Sequence, residues 1–240
     1  MQKILITGIR RIGFHIAKEL LSKGYEVVFT YRTSWDIAKE LERLGGFGLQ
    51  ENLKDPESYR RITQFTLEKL GGIDSIIHTA SPYFSTPLET LEREDIYEHF
   101  LPNVEALLML CKLLYPIMLK KEGSIKGRVV AFGDWAAERS PYRHYLAYFI
   151  SKGALHTTVK VLAKELAPYV LVNAIALGPV LKPEGFSQEK WEEYIEKTPL
   201  KRTVSIGDIL GLTEFLLHVK SMTGEIINLD SGRHISGEYS

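Results

Sequence analysis

Cysteine is almost absent. Cys111 stands alone among 240 residues, which excludes a disulfide or a cysteine-based metal cluster within one chain. Its apolar neighbours, Leu107, Leu108, Leu110, Leu113 and Leu114, read it as a small core hydrophobe. Net charge is missing too: 30 Lys and Arg face 30 Asp and Glu, so no global field favours nucleic acid or an anionic membrane as a partner. No uninterrupted apolar run approaches the roughly 18 residues of a membrane span. The opening Met1-Gln2-Lys3-Ile4-Leu5-Ile6-Thr7-Gly8 has a strand pattern in place of a signal peptide, and a cytoplasmic location is expected. Repeats, low-complexity tracts and linkers are lacking. His78 and His144 have no third partner at metal-ligand spacing, so both read as structural and no metal is expected.

What is present is an ordinary core-forming composition, 45% hydrophobic and 25% charged, in a length that suits one α/β domain over 1–240. Strand-like apolar runs at 3–7, 25–31, 47–50, 73–79, 128–132, 169–176 and 225–229 alternate with helical periods. The helices are expected at 11–22, 35–44, 56–70, 89–98, 104–120, around Tyr148 to about 166, and at 206–219, with a Gly- and Pro-containing segment at 178–205. This alternation predicts one doubly wound parallel sheet of about seven strands with helices on both faces. Helix 104–120, with Leu107, Leu108, Leu110, Leu114, Ile117, Met118 and Leu119, carries more apolar surface than one sheet face needs and suggests self-association.

In such a sheet ligands bind beyond the carboxyl ends of the strands, and the candidate residues fall there. The first strand runs into Thr7-Gly8-Ile9-Arg10-Arg11-Ile12-Gly13, whose glycines let the backbone approach a pyrophosphate at a helix N-terminus. Tyr148 and Lys152 lie four apart within Tyr145-Leu146-Ala147-Tyr148-Phe149-Ile150, so on a helix both polar tips emerge on one face. A tyrosine of pKa about 10 needs about 4 kcal/mol of help to exchange a proton near pH 7, and an ammonium about 4 Å away supplies roughly that. The pair is therefore able to do acid/base work on a carbonyl or imine; the plainer alternative is a surface pair. After the second strand comes Tyr31-Arg32-Thr33-Ser34. An acidic residue there would bond a ribose 2′-hydroxyl, whereas Arg32, with Arg10 and Arg11 nearby, suits the 2′-phosphate of NADP(H).

Taken in order, these pieces resemble the short-chain dehydrogenase/reductase family over essentially the whole chain. The matching pieces are Thr7-Gly8 to Gly13, Asn52-Leu53, Thr79-Ala80-Ser81, Asn103, Tyr148 with Lys152, Val172-Asn173-Ala174, Gly178-Pro179-Val180 and the closing Thr223 to Gly232. The resemblance implies a single-domain Rossmann fold, a nicotinamide cofactor and a homotetramer. It also implies Tyr148 as proton donor, Lys152 binding the ribose and lowering the tyrosine pKa, and Asn103 anchoring a water relay. Three places depart from the common pattern: His78-Thr79-Ala80-Ser81 replaces Asn-Asn-Ala-Gly, Asp134 stands near where most members carry a serine, and the glycine loop is one residue shorter.

The departures resemble the pteridine reductase and dihydromonapterin reductase branch. Arg10-Arg11-Ile12-Gly13, Tyr31-Arg32-Thr33-Ser34, the stretch Ala80-Ser81-Pro82-Tyr83-Phe84-Ser85-Thr86-Pro87-Leu88, and Asp134 in place of the serine carry that likeness. It implies reduction of a dihydropterin or dihydrofolate C=N bond, with Ser81, Tyr83, Asp134 and Tyr148 at the substrate. Tyr83 suits stacking on a flat ring, with Phe84 packing inward, and Tyr148 or Asp134 through water can supply the proton. For Asp134 a turn cap is the alternative. Two further readings are a 3-oxoacyl-[acyl-carrier-protein] reductase, against which Asp134 and Tyr83 speak, and a non-catalytic NADP-binding regulator, against which Asn103, Tyr148 and Lys152 speak. The segment 181–198 is expected to close over the substrate as a lid.

Overall fold

Strands buried on both faces need apolar residues at nearly every position, and the inner strands of this chain supply such runs, while the edge strands are only partly buried. In the computed structural model, which describes residues 2–183 and 185–236, the strands are β1 (Lys3–Thr7), β2 (Glu26–Tyr31), β3 (Phe47–Gln50), β4 (Ser75–His78), β5 (Gly127–Asp134), β6 (Val170–Leu177) and β7 (Ile226–Leu229). Met1, Glu184 and 237–240, parts of the expected 1–240 domain and its lid, lie outside the described residues. All pairings are parallel and the order is β3-β2-β1-β4-β5-β6-β7, the doubly wound sheet that the alternation predicts. The order reverses between β1 and β4, which opens a crevice at their carboxyl ends.

The helices are α1 (Ile12–Ser22), α2 (Trp35–Arg43), α3 (Ser58–Leu70), α4 (Arg93–Phe100), α5 (Ala106–Met118), α6 (Leu146–Glu165), α7 (Gln188–Glu196) and α8 (Ile206–His218). Alternate strand residues face opposite layers. Leu5, Ile76, Val129 and Val172 pack with α3, α5 and α6 through Ile62, Leu107, Leu110, Leu155 and Val159. On the other face Ile4, Ile6, Ile77, Val130 and Ile175 meet Ile16 and Leu20 of α1 and Ile209 and Leu216 of α8.

The structure departs from the sequence expectations in several places. β5 runs two residues further than expected and so carries Asp134 as its last residue. The helices expected at 89–98 and 104–120 begin later and are fused through a π turn, Leu101–Glu105, because Pro102 has no N–H to give to the carbonyl four residues back. By length and composition the resulting run Arg93–Met118 is apolar enough to cross a membrane. Here its Leu107, Leu110, Leu114 and Met118 pack into the subunit's own core, which uses much of the surface that suggests self-association. Finally, the Gly- and Pro-containing segment 178–205, to which the sequence pattern assigns no helix, contains α7, capped by Ser187 whose hydroxyl accepts from Lys190 N at 3.2 Å.

A candidate active site at the carboxyl ends of the strands

The crevice is a cavity of about 670 Å³, and it gathers the predicted cofactor residues except Lys152. Gly8, Arg10, Arg11, Ile12, Gly13, Tyr31, Arg32, Thr33, Ser34, Asn52, Leu53, Thr79, Ala80, Ser81, Tyr148, Gly178, Pro179 and Val180 all line it, and so do Tyr83 and Asp134. Gly8 has a φ of 81°, and a Cβ on it would come 2.7 Å from the Ala80 Cα. A Cβ on Gly13 would overlap the Gly8 carbonyl oxygen. The Thr79 hydroxyl donates to the carbonyls of Thr7 (2.9 Å) and Gly8 (2.5 Å) and so ties the loop to the end of β4. Arg11, the N-cap of α1, has no side-chain acceptor for the first-turn N–H groups. Those donors, at the positive end of the helix behind a close-packed glycine loop, suit a pyrophosphate. Arg10, Arg11 and Arg32 are exposed at the rim, and Arg11 Nη2 donates to the Leu181 carbonyl at 2.7 Å.

Asp134 joins the two halves of the site. Its Oδ1 accepts from Ala136 N at 2.9 Å and caps the short helical turn Trp135–Glu138, while its Oδ2 accepts from the Tyr148 hydroxyl at 2.8 Å. The turn-cap reading thus describes Oδ1, while Oδ2 is engaged with the phenol. Burial pushes the Asp134 carboxyl up, against the opposing pull of its bonds from Ala136 N and Tyr148 and of the Lys152 charge. Burial, reinforced by the negative Asp134, pushes the Tyr148 phenol well above its ordinary value.

Lys152 is placed differently from the expectation. Its Nζ donates to the Phe132 carbonyl at 2.7 Å and lies 5.8 Å from the centroid of the Tyr148 ring. The partner at the phenol is thus the carboxylate, and the expected lowering of the Tyr148 pKa by a close ammonium is replaced by a phenol held protonated. The reason is burial: inside the protein the ammonium must satisfy a donor, and the nearest carbonyl of β5 takes it. Burial also brings Lys152 down to about 8, with Asp134 opposing. Lys152 and Asn103 stand behind the cavity wall, both buried.

Asn103 sits in the π turn, where its Nδ2 donates to Ser151 Oγ at 2.9 Å and Ser151 Oγ donates in turn to the Tyr148 carbonyl at 2.7 Å. The main-chain carbonyl of Asn103 accepts from His78 Nε2 at 3.2 Å, and His78 Nδ1 faces Thr7 Oγ1 at 2.7 Å. Burial and the Lys152 charge hold the His78 pKa at about 4, so it is a neutral strut under the π turn, in agreement with its structural reading. His144 is exposed with a φ of 66°, and its carbonyl accepts from Thr86 N at 2.6 Å.

The substrate half of the cavity is aromatic, and much of it escapes sequence reasoning. Trp135, Tyr142, Tyr145, Phe186, Trp191 and Tyr194 join Tyr83 and Tyr148 in its lining. Tyr83, expected to stack on the substrate, is stacked on Tyr145 (4.8 Å, 17°) and set edge-on to Tyr148 (4.9 Å), with 40% of its surface exposed. One of its faces is already taken. Phe84, expected to pack inward, lies against the buried ring of His99 at 4.2 Å but keeps 38% of its surface exposed. The available signals were the recurrence of Tyr at 142, 145 and 148, and Trp191 with Tyr194 three apart after a Ser cap.

A family model described as enoyl-(acyl carrier protein) reductase matches residues 8–234. Dihydromonapterin reductase of Enterobacter sp. (strain 638) is 29% identical over 234 residues, covering 97% of both chains. The NADH-type enoyl-[acyl-carrier-protein] reductase of Aquifex aeolicus is 28% identical, covering 99% of this chain and 93% of the other. The crystal structure of FolM alternative dihydrofolate reductase 1 from Brucella canis complexed with NADP superposes with a TM-score of 0.90 at 26% identity, over 98% of this chain and 94% of that one.

Proposed function

The chain belongs to the short-chain dehydrogenase/reductase family, and we propose that it is an NADP(H)-dependent oxidoreductase that reduces the C=N bond of a dihydropterin or dihydrofolate. The observation that carries this reading is Asp134, a carboxylate bonded to the Tyr148 hydroxyl in an otherwise aromatic wall. Flat rings suit such a wall, and a carboxylate suits their polar edge. The likeness to dihydromonapterin reductase and to the alternative dihydrofolate reductase supports the substrate class. The second reading is a 3-oxoacyl-[acyl-carrier-protein] reductase, which would reduce the 3-oxo carbonyl; the Aquifex aeolicus relative, an enoyl reductase by name, supports it only as far as the acyl-carrier-protein substrate class. A non-catalytic regulator is set aside with the family assignment.

Bound NADPH supplies the hydride. The Gly8–Gly13 loop and the N-terminus of α1 would hold the pyrophosphate, Arg32 with Arg10 or Arg11 would face the 2′-phosphate, and Lys152 would turn from the Phe132 carbonyl to reach the ribose. Tyr148 keeps its proton at neutral pH and gives it to the substrate nitrogen. Asp134 orients the phenol and accepts from the ring or passes a proton through water. Asn103, steadied by His78 and Ser151, supports the base of α6. Following NADPH oxidation with dihydrobiopterin, dihydromonapterin, dihydrofolate and a 3-oxoacyl thioester side by side tests the proposal; turnover of the thioester alone would overturn it.

Three expected results follow from the same geometry. Charge-assisted bonds to phosphate are worth about 1.5–3 kcal/mol, so Arg32→Ala should cost roughly ten- to a hundredfold in NADPH affinity and little in NADH affinity. Equal affinities for the two cofactors in the unmutated protein would sink this assignment. Lys152 loses its charge above pH about 8, so NADPH affinity should fall as pH rises through that value, and Lys152→Met should flatten the profile. The stability effect has the opposite sign. Between pH about 8 and the ordinary 10.5 the unfolded chain holds a proton that the folded one has lost, so the lysine's contribution to stability rises with pH across that window.

The third concerns assembly as a homotetramer. Leu108 at 45% exposure, with Ile150 (59%) and Val161 (52%) on α6, remains turned outward after the core has taken its share. Light scattering at micromolar concentration should report an oligomer, and a monomer would refute it.

A further inference from the structure

Arg233, in the short turn after β7, is stacked between two rings of the cavity wall. Its guanidinium carbon lies 5.4 Å from the centroids of both Trp135 and Tyr194, and its Nη1 donates to the Lys197 carbonyl at 2.6 Å. Lys197 is the C-cap of α7, where a cation complements the helix dipole and satisfies a terminal carbonyl. The turn itself is pinned by Asp230, 2% exposed, whose carboxylate accepts from Gly232 N (3.1 Å), His234 N (2.6 Å) and His234 Nδ1 (2.9 Å). Helix α7 has no buried residue, so little apolar burial holds it in place. The polar contacts that tie it to the rest of the chain include the Tyr194 hydroxyl bonded to that of Tyr142, Arg233, the bond from Lys182 to the Gln188 amide and the ion pair of Lys201 with Glu196. Tyr142, Trp191 and Tyr194 all face the cavity.

We infer that Arg233 is a positioning residue for substrate: by clamping the C-terminal end of α7 and stacking on Tyr194, it seats Trp191 and Tyr194 as the far wall of the substrate pocket. It touches none of the reacting atoms. Lysine could bond the Lys197 carbonyl but not present a flat face to both rings, so Arg233→Lys should retain only part of the effect. The inference rests on the pterin reading only for the choice of assay substrate.

The test compares Arg233→Ala and Arg233→Lys with the unmutated full chain in dihydropterin kinetics, NADPH binding, and chymotryptic cleavage after Trp191 and Tyr194. Loss of a stacked, partly desolvated cation predicts a rise in KM on the order of tenfold for the alanine variant, with kcat and NADPH affinity little changed. Cleavage within α7 should be faster for alanine and intermediate for lysine. Should the alanine variant fail to fold, the lysine variant carries the comparison. Unchanged KM and cleavage would overturn the inference, as would parallel losses of substrate and NADPH binding with a lowered melting temperature. If the unmutated enzyme ignores pterins, the substrate reading fails while the cleavage measurements still decide the role of Arg233.

Discussion

Replacing Tyr148 by Phe should lower dihydropterin turnover about 10²–10⁴-fold, the usual worth of general acid catalysis, and leave NADPH binding intact. The phenylalanine keeps the ring contacts with Tyr83 at 4.9 Å and Phe149 at 5.0 Å, so the wall keeps its shape. What disappears is the only group of this ring that can hold and give a proton. Because burial and Asp134 keep the phenol protonated, the unmutated enzyme has the proton in place at neutral pH. The substitution also removes the donor to Asp134 Oδ2, which should cost roughly 1–3 kcal/mol of stability if the oxygen finds no other partner. Thermal unfolding measured alongside the kinetics separates the two effects. Turnover within a few fold of the unmutated enzyme would move the proton donor to Asp134 or water.

Asp134→Ser restores the residue that most members carry near this place, and should reduce pterin turnover while leaving simple ketones as substrates. Serine retains a hydroxyl able to accept from Ala136 N, so the turn survives. It loses the charge and the second oxygen, and a charge-assisted bond of about 1.5–3 kcal/mol corresponds to roughly ten- to a hundredfold in kcat/KM for the pterin. The pH dependence of stability gives an independent readout. Because burial raises its pKa, between the ordinary carboxylate value and the raised one the folded Asp134 holds a proton that the unfolded chain has released. Its contribution to stability is therefore lost as pH rises from the ordinary carboxylate range through the raised value, and the serine variant should lack that slope. An unchanged ratio of pterin to ketone reduction would leave Asp134 as a turn cap alone.

The parts of the site that lie close together along the chain were legible in its sequence. The glycine loop from Gly8 to Gly13, the Arg32 that follows β2, and the four-residue spacing of Tyr148 and Lys152 each depend on local geometry, strand into helix or one helical turn. Parallel strands buried on both faces announce themselves as continuous apolar runs, and so the sheet and its crevice could be placed in advance. Asp134 could be singled out by comparison with the serine that most family members carry near this place, although its two bonds could not be divided between cap and phenol.

The tertiary structure alone decided where the long side chains ended. Lys152 turned to the Phe132 carbonyl, His78 to the π turn at Asn103, and Arg233 to Trp135 and Tyr194, each because a buried polar group takes whichever partner the surrounding elements bring within reach. Helix α7 escaped notice since its attachment to the cavity wall is made by residues about 40 to 50 positions away in sequence, at Tyr142 and Arg233. Tyr83 likewise found Tyr145 across a loop. Local periodicity thus determined the fold and the crevice, whereas the chemistry within the crevice follows from contacts between segments that only the closed sheet brings together.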